Sequence, residues 1–178
     1  MNIFLQSAIS RLRYYKELAD KTFLQLEDTD FHFQPSSQSN SLAVIIRHMS
    51  GNMLSRWTNF LTEDGEKPWR QRDEEFNTRF QAKEELLEIW SQGWDCLLGT
   101  LETLTEEDLL KTVYIRHEPL TVTDAINRQL AHYPYHVGQI VFIGKMIRDD
   151  KWQSLSIEKD KSDEFNEGMK NRHSSPKA

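Results

Sequence analysis

The chain carries one cysteine, Cys96, in 178 residues. No intrachain disulfide framework can staple it, and a reducing compartment is expected. Glycine numbers 7, and none falls into a phosphate-cradling loop or a dinucleotide-binding fingerprint. The Gly-x-Ser-x-Gly elbow of a serine hydrolase is also missing. Basic residues are in deficit, 22 Lys and Arg against 28 Asp and Glu, for a formal charge of −6. That balance argues against a nucleic-acid partner, and the scattered cations offer no run to hold an anionic membrane. No stretch approaches the roughly 20 apolar residues of a membrane span. The segment from Met1 to Ser7 lacks the basic start and apolar run of a signal peptide. A single cytoplasmic globular domain, without nucleic acid or membrane as partner, is the expectation.

What the chain does have is helical periodicity. Leu5, Ala8, Ile9, Leu12, Tyr15, Ala19, Phe23 and Leu26 share one side of a helix expected over about residues 2–27. A connection punctuated by Pro35 follows, and Asn40 or Ser41 caps a second helix carrying Leu42, Ile45, Ile46, Met49, Met53, Trp57 and Phe60. That helix is expected to stop before Asp64-Gly65. Residues 63–79 form a long polar connection holding Trp69, and a third stripe from Leu86 to Leu101 marks a helix over about residues 82–104. After a short helical turn at Thr105, residues 111–120 alternate loosely as an extended pair. Thr121 or Thr123 opens the last long helix, in which Pro134 predicts a kink or bulge. Four one-sided stripes bury one another most simply in an all-α four-helix bundle over residues 1–150. Residues 151–167 are expected to pack on it as a tail, with residues 168–178 disordered.

His132 and His136 lie four apart on the last helix, inside the arc of Ala125, Ile126, Tyr133, Val137, Ile140 and Ile143. Residues at that spacing are about 5–6 Å apart at Cβ, so both rings reach one point. Buried imidazoles need partners or a metal. Zinc and nickel accept neutral imidazole, and a catalytic site commonly uses three protein ligands with one position open. His48, on the flank of the second helix, is the best third ligand. Asn52, Gln129 and Gln139 are candidates to orient the ligands. The alternative is that the pair hydrogen-bonds inside the bundle while His48 lies at its boundary.

The other histidines point elsewhere. His32, His117 and His173 sit in a loop, a turn and the tail and are expected to be solvated. Cys96 falls off the centre of its helix stripe and has no visible base, which argues against a nucleophile. Tyr133 stands where the zincin motif has glutamate, so peptidase chemistry lacks its general base.

Three segments carry a resemblance: Ile46-Arg-His-Met-Ser-Gly-Asn-Met, Asp64-Gly-Glu-Lys-Pro-Trp-Arg-Gln-Arg-Asp-Glu-Glu-Phe, and Ala125 through Lys145. With them the chain resembles the DinB-like (YfiT-like) metalloprotein superfamily of four-helix bundles and, within it, the DUF1572 group. The resemblance implies a divalent metal, zinc or nickel, on His48, His132 and His136. Some members of the superfamily are transferases or isomerases using low-molecular-weight thiols, and members are often homodimers. It therefore implies a possible metal-dependent thiol S-transferase acting on a small-molecule electrophile. The alternative is a non-catalytic metal-binding or stress-associated structural module. The 63–76 connection can shape a substrate pocket, with Trp69 as an apolar wall and Arg70 or Arg72 as an anion contact. Equally, Trp69 can plug the bundle end while the arginines form surface ion pairs. In an enzyme of this kind, Gln129 or Tyr133 is placed to hydrogen-bond developing charge.

Overall fold

The protein is described by a computed structural model over residues 2–77 and 79–173. It is mostly helical. Helix α1 spans Ile3–Phe23, with the Asn2 side chain accepting from the Phe4 N–H at 2.9 Å. Helix α2 spans Leu42–Trp57 behind the Ser41 cap. It ends before Asp64-Gly65, as expected, at Trp57, where Thr58 turns extended (ψ 124°) and Asn59 follows in a left-handed conformation, φ 51°. Helix α3 spans Lys83–Thr103. Strands β1 (Thr112–Ile115) and β2 (Glu118–Thr121) pair antiparallel, with Val113 opposite Leu120. Helix α4 spans Val122–Arg148 and is capped by Thr121, whose hydroxyl accepts from the Asp124 N–H at 3.1 Å. Pro134 lies inside the helix, which runs without a break from Val122 to Arg148.

The four long helices share one core. Helix α1 packs chiefly on α4 and α2 on α3, with lighter α1–α3 and α2–α4 contacts. Leu12, Ile46, Met49, Trp94, Leu97 and Ile140 meet there with no solvent exposure, each contributing about 1.5–3 kcal/mol of apolar burial. The α2–α3 contact is close enough to need Gly93, where a Cβ would come within 2.8 Å of Ser50 Cα.

Every residue of α2 except Gly51 and Leu54 is buried. The stripe from Leu42 to Trp57 accounts for one face, and the connection after α2 covers the other. Ser55 Oγ donates to the Gly65 carbonyl at 2.6 Å and accepts from the Lys67 N–H at 3.2 Å. Arg56 donates to the same carbonyl and to Glu66. Arg47 donates to the carbonyls of Glu75 and Asn77, at 3.3 and 2.7 Å, and to Gln81 Oε1 at 3.1 Å. Asp64 then ties this connection to the hairpin, accepting from the N–H groups of Arg116 and His117.

Beyond α4 the chain touches the core only lightly. Gln153 exchanges two hydrogen bonds with Gln25, but Ile157 and Phe165 are exposed. Residues Ser162–His173 form helix α5, which buries no side chain. The expected disorder from residue 168 therefore differs from the structure over residues 168–173, while residues 174–178 lie outside the described part. Among the described residues, no helix is long and apolar enough to cross a membrane.

Candidate metal centre

Helices α2 and α4 bring His48, His132 and His136 together, with one ring nitrogen from each lying within 4.8 Å of the other two. The rings of His132 and His136 are 4.7 Å apart at their centroids, and His48 stands 5.7 and 5.0 Å from them. His48 is buried, while the two α4 histidines are half-buried. Among the described residues, this is the group of histidine, cysteine and carboxylate side chains arranged to hold a metal ion.

The outer nitrogens are all occupied, and by acceptors. His136 Nδ1 faces Gln139 Oε1 at 2.8 Å, and His132 Nδ1 faces Gln129 Oε1 at 3.4 Å. An amide oxygen accepts, so both contacts favour the tautomer with the proton on Nδ1. The inner nitrogens are then bare, and they face each other: His132 Nε2 and His136 Nε2 are 3.1 Å apart. Burial, and next the neighbouring His136 and His48, push the His132 pKa down to about 4. Burial likewise lowers that of His136, with Gln139 opposing. At neutral pH no proton bridges the two lone pairs. A cation between them relieves that repulsion. Zinc–imidazole bonds of about 2.0–2.1 Å in a tetrahedron set nitrogens roughly 3.4 Å apart, close to the spacing here.

His48 is oriented differently. Its Nδ1 donates to Glu75 Oε2 at 3.0 Å, and Arg70 grips the same carboxylate through Nε and an Nη at 2.8 and 2.9 Å. Burial raises the Glu75 pKa, but His48 and Arg70 outweigh it and hold the group below its usual range. Such carboxylate–histidine pairs fix the ring and raise its basicity as a ligand. Gly51 makes the space: a Cβ there would lie 2.2 Å from Glu75 Oε1. Phe76 packs on His48, at 5.1 Å between ring centroids.

Several expected roles are corrected. Glu75 was not among the candidates, although Gly51, three residues after His48 inside a helix, is the kind of glycine that marks a close approach. Arg70 is neither an anion contact nor a surface ion pair, because its side chain is 2 % exposed and engaged with Glu75. Trp69 is 55 % exposed and so does not plug the core. Arg72 lies over the Phe76 ring at 5.1 Å. Tyr133 is fully buried, its hydroxyl accepting from Trp57 Nε1 and donating to Asn52 Oδ1, both at 3.1 Å. Burial raises its pKa further. It is a core residue, and Asn52 orients it rather than a histidine. Gln129 and Gln139 do contact the histidines, as expected. His32 is half-buried rather than solvated, with Nε2 2.9 Å from the Gln81 carbonyl. His117 is exposed in the hairpin turn. Cys96 Sγ lies 3.7 Å from Thr58 Oγ1.

A conserved protein of Enterococcus faecalis, solved by crystallography, has a similar fold, with a TM-score of 0.63 over 83% of this chain and 98% of that one, at 16% identity. No curated protein matches the sequence. The family model of proteins of unknown function, DUF1572, matches residues 1–161, and the chain belongs to that family.

Proposed function

We propose that the protein binds one divalent metal ion, zinc or nickel, through His48, His132 and His136, in a four-helix bundle of the DinB-like type. The observation that carries the reading is the pair of Nε2 atoms 3.1 Å apart, with the Nδ1 of each ring turned to a glutamine oxygen. Three imidazoles suit zinc and nickel alike. Bound there, such an ion lowers the pKa of a thiol or water in its open position and so supplies a nucleophile near neutral pH.

Within this reading we favour a metal-dependent transferase using a low-molecular-weight thiol and a small-molecule electrophile over a structural metal module. The protein groups best placed to close a fourth position are already engaged: Asn52 with Tyr133, Gln129 with His132, and Glu75 with His48 and Arg70. The two α4 rings also keep partial contact with solvent. Of the two residues considered for charge stabilisation, Gln129 hydrogen-bonds a histidine, whereas the Tyr133 ring lies 5.5 Å from that of His132 with its hydroxyl already engaged by Trp57 and Asn52.

The homodimer belongs to the same proposal. Tyr135 and Phe142, 63 % and 69 % exposed, stand seven residues apart on one outer face of α4, with Met146 one turn further. Exposed aromatics in a row mark interfaces.

Elemental analysis of protein purified without nickel affinity resin tests the metal. One equivalent is expected, with at least about a hundredfold weaker binding after His132→Ala and no change after His117→Ala. Protein that holds no divalent metal, as isolated or after reconstitution, refutes the reading. Thiol transfer that persists in metal-free protein leaves the metal site but removes the mechanism.

A further inference from the structure

A pocket lies at the start of α2, with Phe76, the residue that packs on His48, in its lining. Its volume is about 290 Å³, and it is lined in part by Ser41, Arg47, Phe76, Arg79 and Phe80. Its electrostatics run against the rest of the chain, which carries a net charge of −6. No carboxylate lines it. Arg47 is 5 % exposed, yet its three hydrogen bonds among the described residues all go to neutral oxygens, the carbonyls of Glu75 and Asn77 and Gln81 Oε1. A guanidinium has five N–H donors, so two remain. Among the described residues, no carboxylate pairs with Arg47. Its surroundings oppose the charge instead: burial first, then the nearby Arg79, hold its pKa below the ordinary value. Arg79 is exposed and likewise forms no ion pair among the described residues. The N-terminus of the 16-residue α2 adds its positive end here, with no acidic residue in its first turn.

Two cations and a helix N-terminus meeting at a pocket, with one cation buried and unneutralised, make an unstable arrangement for a protein to keep empty. We infer that this pocket binds a small organic anion, its carboxylate or phosphate group held by Arg47 and Arg79 and its apolar body resting on Phe76 and Phe80. Anion recognition at helix N-termini and by planar guanidinium forks supplies the chemistry. The volume suits a metabolite rather than a macromolecular segment, being at the small end of the roughly 300–1,000 Å³ typical of ligand sites. Phe80 stacks on His32 at 4.8 Å, which gives the wall a planar surface. The site needs no metal, but Phe76 is shared between it and the histidine centre.

Calorimetric titration of the full chain at fixed ionic strength, with benzoate, inorganic phosphate and benzamide as probes, tests the inference. At least one anion is expected to bind, with neutral benzamide about tenfold weaker or more. Stronger benzoate binding assigns a carboxylate ligand, and stronger phosphate binding assigns a phosphate ester. Arg79→Gln, at an exposed residue that forms no ion pair among the described residues, should leave the melting temperature unchanged and weaken anion binding about tenfold. Arg47→Lys keeps the charge and loses the fork, and is expected to weaken binding as well. Equal binding of benzoate and benzamide, no anion binding, or full affinity in Arg79→Gln overturns the inference. His136→Ala should bind the anion as the natural protein does. Loss of binding there would place the anion at the histidine centre and overturn the separate site.

Discussion

The two arms of the histidine centre are built from different materials. On α2, one buried imidazole is held by a carboxylate, which is held in turn by a buried guanidinium, against a helix with a glycine where the carboxylate lies. On α4, two half-buried imidazoles are held by neutral amides three residues away on their own helix. The α4 arm is local, since residues 129, 132, 136 and 139 lie on successive turns of one helix and orient one another wherever that helix forms. The α2 arm is tertiary, because Glu75 and Arg70 arrive on the connection after α2 and work only if that connection docks. A fixed ionic arm and a neutral arm therefore meet at one point, and they should fail differently.

The largest difference is expected at Glu75. Glu75→Gln removes the charge that pairs with His48 and strands Arg70, whose side chain is 2 % exposed. Removing one partner of a buried ion pair costs about 3–5 kcal/mol. Lost orientation of a metal-ligating histidine weakens metal affinity by about 10–100-fold. Chemical denaturation and metal competition read the two effects separately. An unchanged stability would mean that the connection does not hold its carboxylate against α2.

Acid separates the arms by pH. For the metal-free protein, the His132 pKa falls from an ordinary 6.5 to about 4 on folding. Between those values the unfolded chain binds the proton that the folded one rejects, so stability present above pH 6.5 is lost as pH falls toward 4. Glu75 shifts the same way from a lower starting point. Its folded pKa lies below the ordinary 4.5, so its contribution is complete above that value and is lost only as pH falls through the lowered one. The α4 arm should thus weaken first, in mild acid, and the α2 arm later. Denaturation midpoints at pH 7, 5.5 and 4.5 follow this, and His132→Phe should flatten the upper part of the profile. A profile already flat in the natural metal-free protein from pH 7 to 4.5 would contradict it.

The asymmetry also explains what could be read from the sequence. The α4 pair, its glutamines, the helix caps and the extended pair are all expressed in local spacing: of the caps left open, Asn40 or Ser41 and Thr121 or Thr123, the structure uses Ser41 and Thr121, and the pair expected over residues 111–120 lies at residues 112–121. His48 came from the same logic, as a residue on the flank of the α2 stripe beside Ile45 and Asn52. Glu75, Arg47 and Arg56 were not legible as buried groups. In sequence they are ordinary charges, two on a helix flank and one in the acidic run Asp73-Glu74-Glu75. Only the docked connection gives them partners, and no periodicity encodes which loop covers which helix face. Tyr133 was read two ways, as part of the apolar arc and as a group beside developing charge. It is fully buried, with its hydroxyl held by Trp57 and Asn52, so the arc is the reading that applies.

Gly51→Ala should disturb the α2 arm without touching a charge. The added Cβ would lie 2.2 Å from Glu75 Oε1 and 2.9 Å from its Cδ, so the carboxylate must shift. Overpacking of this kind costs about 1–3 kcal/mol, less than losing the charge, since the pair with Arg70 can move as a unit. Metal affinity should fall with the displaced His48 partner, and the Gly51→Ala, Glu75→Gln double variant should show less than the sum of the two. Full additivity would mean that glycine and carboxylate do not share one space.

The smallest effect is expected from Gln139→Ala on the neutral arm. The amide accepts one hydrogen bond from a half-buried ring, a bond worth about 1 kcal/mol, and water can reach His136 to replace it. Stability should hardly change. The consequence lies in the tautomer. With Gln139 present, the His136 proton is fixed on Nδ1 and Nε2 is bare. Without it, the proton can move to Nε2 and donate across the 3.1 Å gap to His132 Nε2, which removes the lone-pair repulsion that a metal would relieve. Metal binding must then first expel that proton to Nδ1. A loss of roughly three- to tenfold in affinity is expected, near 1 kcal/mol, with a ring-nitrogen NMR spectrum of the metal-free protein showing His136 shifted toward the other tautomer. Gln139→Glu sharpens the test: a carboxylate accepts more strongly, makes the neutral arm resemble the ionic one, and should tighten metal binding above the natural protein. If Gln139→Ala leaves the tautomer and the affinity unchanged, the amide does not set the proton, and the two arms differ only in burial.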